Sequence, residues 1–133
     1  MKKFLSALVF AVCILSVNFC SANYYDNSPD YYRTTVGGGY AVYIFIKSVD
    51  VQKYNPPHYQ IACNLIHVDN RSGKLANKTY RVVRYNYYTK ESFTLDRYGD
   101  WRKNDIYANS ADRHDAIIAN ALFRVAYGMN FYN

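Results

Sequence analysis

The sequence predicts an α+β domain: an antiparallel meander sheet of about five to six strands, with one C-terminal helix packed on a face. Three observations predict it. Between Tyr40 and Trp101, short runs of alternating or continuous apolar residues are separated by turn formers. The links between these runs are too short for crossover helices, so sequence neighbours pair antiparallel. Beyond Asn109 the apolar residues recur at helical spacing.

The chain opens on an export signal. Lys2 and Lys3 are followed by Phe4 to Val17, apolar except for Ser6 and Ser16. That run is shorter than the ~20 residues a bilayer span needs. Cys20-Ser21-Ala22 then offers small residues for cleavage after Ala22. Phe19, where a small residue normally precedes a lipidated cysteine, argues against a lipid anchor on Cys20. Residues 1–22 therefore read as a signal peptide of bacterial type. The mature chain is expected to be exported to the periplasm, the cell surface or the medium. No later segment is apolar enough to insert in a membrane after cleavage.

Processing changes the composition. Loss of Lys2 and Lys3 lowers the net charge from +6 to +4. The basic residues are scattered, which argues against nucleic acid as a partner. Cys13 and Cys20 leave with the signal, so Cys63 is the remaining cysteine and no internal disulfide can form. Cys63 lies in an apolar alternation and is expected as a buried small hydrophobe. All 16 tyrosines belong to the mature part. Tyrosine suits strands and contact surfaces, because its ring packs while its hydroxyl stays wet.

Residues 23–39 read as a flexible N-terminal tail, with Asn27, Ser28 and Pro29 as turn formers and Gly37-Gly38-Gly39 as a hinge. Its Tyr24, Tyr25, Tyr31 and Tyr32 either pack back on the domain or form an exposed arm. A single domain is expected over 40–133. Tyr40 to Ile46 is a strand, apolar on both faces. Ser48 to Lys53 is a second strand after a tight turn. Asn55-Pro56-Pro57 breaks the chain. His58 to Val68 is the cleanest strand, with Tyr59, Ile61, Cys63 and Leu65 on one face and His58, Gln60 and Asn64 on the other. Asp69 to Lys74 is a turn. Thr79 to Tyr88 puts Val83, Tyr85 and Tyr87 opposite Arg84 and Asn86. Ser92 to Leu95 and a turn at Arg97 to Asp100 lead into Trp101.

The helix is capped by Asn109 or Ser110, carries Asp112 and Asp115 in its first turn and ends at Gly128. Its expected apolar stripe is Ile117, Ile118, Ala121, Leu122 and Val125. Phe123 and Tyr127 fall outside this stripe, so either Met129 to Tyr132 folds over them or they form an exposed patch. His114 is expected half-buried on the stripe.

No residues stand out for catalysis. His58, His67 and His114 have no metal-ligand spacing, and His58 and His67 lie roughly 30 Å apart on opposite faces of one straight strand. Glu91 is the only glutamate. A ribonuclease-like pairing of Glu91 with a histidine has no support in local sequence. No catalytic residue, metal ligand or cofactor is therefore assigned.

Val42-Tyr43-Ile44 through Ser48-Val49-Asp50-Val51 resembles the opening of surface-adhesin-E-like domains of bacterial envelopes. Tyr59 to Val68, Tyr80 to Tyr88 with Phe93, and Asp96 to Trp101 resemble later strands and the terminal hairpin of that family. Lys53 to Ala62 and Ala126 to Tyr132 are similar to small exported proteins of diderm bacteria. The likeness spans residues 40–132. The chain departs from it at Tyr88-Thr89, where the family has a cysteine. What the resemblance implies is adhesion to host or matrix proteins.

The reading is thus a non-enzymatic secreted or envelope-associated binding protein, with surface adhesion to other proteins as its implied role. A small exported hydrolase or a structural part of an envelope complex are the alternatives. Since one helix covers one sheet face, the aliphatic face is expected under it. The other face then bears Tyr43 and Phe45, the candidate partner-binding residues, unless the tail seals it.

Overall fold

The computed structural model describes residues 24–34 and 38–133. The expected signal peptide, Cys13, Cys20 and Gly37 lie outside these residues. The elements are α1 (Tyr24–Asn27), β1 (Tyr31–Arg33), β2 (Tyr40–Phe45), β3 (Asp50–Asn55), β4 (His58–Asp69), β5 (Leu75–Asn86), β6 (Glu91–Leu95), β7 (Trp101–Lys103) and α2 (Ala111–Tyr127). The fold is α+β: seven antiparallel strands among the described residues and a C-terminal helix against the sheet.

The sheet runs β1-β2-β4-β5-β6-β7, and β3 also pairs with β4. The tight turn before β3 does not fold that strand back onto β2. β2 and β3 run in the same direction along one edge of β4, Tyr40–Ile44 facing Asp69–Leu65 and Asp50–Asn55 facing Ala62–His58. A single 3-10 turn, Ile46–Ser48, lies between them. Ser48 explains the continuity. Its hydroxyl donates to the Phe45 carbonyl at 2.6 Å and accepts the Asn64 amide at 2.8 Å, replacing ladder bonds where the strand is interrupted.

The segment expected as a tail is partly in the fold. β1 pairs with β2, Tyr31 facing Phe45 and Arg33 facing Tyr43. Strand structure therefore begins before Tyr40. The side chains supply the reason: Tyr25 and Tyr31 pack on Ala41, Tyr43, Phe45, Ile66 and Val68, forming a second small core on the sheet face away from α2.

The principal core lies between α2 and the other face. Val42, Ile44, Ile61, Cys63, Leu65, Val83 and Tyr85 meet Ile118, Ala119, Leu122 and Phe123. The aliphatic face of β2 lies under the helix, as the alternation predicts. Ser110 caps α2 through the Asp112 amide, and Gly128 closes it at φ +73° with its amide on the Arg124 carbonyl at 2.7 Å. The buried stripe is shifted from the expected one. Phe123 is fully inside, Ile117 and Val125 are half-buried, and His114 is exposed.

The chain end causes the shift. Asn120 Oδ1 accepts the amides of Phe131 and Tyr132 at 2.8 and 3.1 Å. Phe131 is thereby seated on Phe123 and Tyr85, with ring centroids 5.3 and 4.9 Å apart. Of the two arrangements open for residues 129–132, the folded-over one is found. Ser92, Thr94, Asn104 and Tyr132 tie the same region with side-chain hydrogen bonds, the buried polar groups satisfying one another.

Candidate functional site

The two covers leave part of the sheet bare. α2 occupies one face. On the other, residues 24–34 cover only the β2 end. The remainder, formed by β3 to β7, carries side chains that cross the strands in a row. Gln52 of β3 sits at a register shift between Val51 and Lys53, on the same face as Gln60 of β4. Its amide nitrogen donates to the Tyr80 hydroxyl at 3.2 Å. Gln60 Nε2 donates to Gln52 Oε1 at 2.7 Å, and Arg84 Nε donates to Gln60 Oε1 at 2.9 Å. The Arg84 guanidinium lies 4.0 Å above the Trp101 ring.

This row joins four strands, β3, β4, β5 and β7, and holds an exposed arginine in one orientation. One side of the guanidinium is fixed by the indole, and its Nε edge by Gln60. The two Nη groups make no hydrogen bond or ion pair among the described residues. A guanidinium so placed presents two parallel donors suited to a carboxylate. Tyr80, 64 % exposed, and half-buried Phe93 extend the row with aromatic surface.

Tyr43 and Phe45 are elsewhere. Tyr43 is only 3 % exposed, its hydroxyl donates to Asp26 Oδ1 at 2.8 Å, and Tyr25 packs on its ring at 5.5 Å. Burial and the Asp26 carboxylate push the Tyr43 phenol up to about 12. Phe45 is half-buried beneath Tyr31, with ring centroids 5.5 Å apart. The candidate pair is therefore sealed by the chain's own N-terminal segment, the alternative that the tail tyrosines left open.

The titratable residues do not converge. His58 is exposed at the start of β4, His67 half-buried near its other end and His114 exposed on α2. His58 shares a cross-strand row with Glu91, but Asn86 lies between them, which sets their backbones about 10 Å apart at ~4.8 Å per strand. Glu91 instead accepts Lys103 Nζ at 3.0 Å. No group of three or more His, Cys, Asp or Glu among the described residues could hold a metal ion. No helix among them is long and apolar enough to cross a membrane.

Sequence reasoning placed Gln60 and Arg84 on the polar faces of long strands but did not join them. Their pairing depends on the register of β4 against β5, Gln60 facing Arg84. Turn lengths alone do not give that register, nor the pairing of β3 with β4 that brings Gln52 beside Gln60. Long polar side chains at interior positions of the two longest strands were the available signal. The chain matches no family model, no curated protein and no solved structure.

Proposed function

We propose that this chain is a non-enzymatic binding protein acting outside the cytoplasm, in the envelope or secreted, and that it contacts protein partners. The uncovered sheet face around Arg84 and Trp101 is its contact surface. The observation that carries this reading is the preassembled row from Tyr80 through Gln52, Gln60 and Arg84 to Trp101. Arginine, tyrosine and tryptophan dominate binding energy at protein contacts. Here the arginine is already immobilised, so little side-chain entropy is lost on binding. Export supports a partner at the cell surface, and the likeness to surface-adhesin-E-like domains supports adhesion as its purpose.

The test uses immobilised protein against a panel of envelope and host-matrix proteins, comparing Arg84→Ala and Trp101→Ala with the parent chain. Loss of a central contact weakens binding by about 2 kcal/mol or more. Melting temperature should hold for Arg84→Ala, whose side chain is exposed, and fall only slightly for Trp101→Ala, whose ring is half-buried. Variants that bind every partner as the parent does would remove this surface from the proposal. Export itself is read by intact mass of the released chain, expected to begin at Asn23. A lipid adduct on Cys20 would refute the processing scheme.

A further inference from the structure

A second surface lies in the plane of the sheet. β5 pairs with β4 over its whole length, but β6 pairs only with Val83 to Asn86. β6 ends at Leu95 because Asp96 reverses the chain. Its Oδ1 accepts the Tyr98 and Asp100 amides, both at 2.9 Å, and Gly99 takes φ +85°. The flank of Leu75 to Val82 thus has no strand beside it among the described residues. At ~3.3 Å per residue this gap is about 26 Å long. An open cleft of about 560 Å³ marks it, lined by Tyr80, Arg81, Val82, Asp96, Arg97 and Arg102 among others.

We infer that this gap receives an extended acidic peptide segment, which adds as a strand beside β5. The free backbone edge supplies the main-chain bonds of strand addition. Charge selects the occupant. The Arg81 guanidinium is paired with Asp115, and Arg102 with Asp112 at 3.0 Å. The Asp96 carboxylate is engaged by its own turn. Arg97 lies against the Tyr98 ring at 4.9 Å and has no carboxylate partner among the described residues, nor do Lys74 and Lys78 on the β5 side. The turn amides do not neutralise Asp96, but Arg97, Lys74 and Lys78 outnumber that one carboxylate, so the uncompensated charge at the gap is positive. A second copy of the chain would bring its own Lys74 and Lys78 into the same gap, like charge against like. An acidic segment meets these cations instead. This edge and its partner chemistry do not depend on the Arg84 and Trp101 face.

Hydrogen exchange on the purified protein tests it, using an eight-residue peptide of alternating Glu and Val as probe and its Lys-for-Glu counterpart as control. The Glu peptide should slow exchange of outward amides within 75–82 and bind at least about tenfold tighter than the Lys peptide. Arg97→Glu should abolish that preference. Arg97 is an exposed turn residue, and circular dichroism verifies that the variant folds. Trp101→Ala should leave the peptide effect intact, which separates this surface from the sheet face. Equal affinity for both peptides, or protection that bypasses 75–82, would overturn the inference. So would protection of 75–82 without peptide that grows with protein concentration, since a second copy would then be the occupant.

Discussion

Cys63 is fully buried between Ile61 and Leu65 on the helix side of β4. Burial pushes its thiol up to about 12, the nearby Arg81 opposing only in part. At neutral pH the nucleophilic thiolate is therefore scarce as well as inaccessible. Ellman's reagent should label native protein far more slowly than urea-unfolded protein. Equal rates would contradict the packing. Cys63→Arg should prevent stable folding, because it places an unpaired charge in the principal core. His67 and Asp69 sit near the far end of the same strand and give the fold an acid sensitivity. Burial, then Arg81, hold the His67 pKa below its ordinary 6.5. The unfolded chain thus takes up a proton first as pH falls through that value, and stability falls with it. Asp69 is held below its ordinary 3.8 by the Ser72 and Arg71 amides, so its contribution is present above that value and disappears at lower pH still. Thermal melts against pH should show an earlier loss, below about 6.5, that His67→Gln removes. A His67→Gln profile that overlays the parent would exclude this origin.

At the scale of elements, residues 24–34 and the C-terminal residues each close part of one sheet face, by different means. The N-terminal segment holds on through Tyr25, Tyr31 and the Asp26 contact to Tyr43, where the loss of one hydrogen bond to a charged group costs about 1.5–3 kcal/mol. Tyr43→Phe should lower stability by an amount in that range, whereas Tyr43→Ser with Phe45→Ser should cause a much larger fall in melting temperature. If the double variant melts with the parent, the second core is not a core. These elements differ in how far the residues disclose them. β4 is legible because Tyr59, Ile61, Cys63 and Leu65 alternate without interruption. α2 is legible because Ser110 and Gly128 punctuate it. β1 is not, since Tyr31-Tyr32-Arg33 is three residues long and gains its structure only from β2 and the rings beneath it. The position of Phe123 was likewise hidden, because its partners Phe131, Tyr85 and Tyr59 come from distant parts of the chain.

For the whole molecule, the two cores are unequal, and that inequality predicts which truncation the fold survives. The principal core gathers residues from β2, β4, β5, α2 and the chain end, and Phe131 is completely enclosed in it. Removing a buried phenylalanine side chain costs about 3–5 kcal/mol. A domain of this size has only about 5–15 kcal/mol in total. Deleting residues 131–133 also strips half-buried Asn120 of the two amides it accepts and leaves buried Ser92 with Asn104 as its remaining side-chain partner. That truncation should abolish cooperative unfolding. Deleting residues 24–33 removes the cover of Ala41, Tyr43, Phe45, Ile66 and Val68, but from the principal core it takes only Tyr32, a half-buried ring packed at its margin. The shortened chain should keep a cooperative melt at lower temperature, bind a hydrophobic dye at the uncovered face and self-associate there. Calorimetry and dye fluorescence on both truncations decide the matter. A cooperative melt after loss of residues 131–133, together with collapse after loss of residues 24–33, would reverse the order of importance assigned to the two faces.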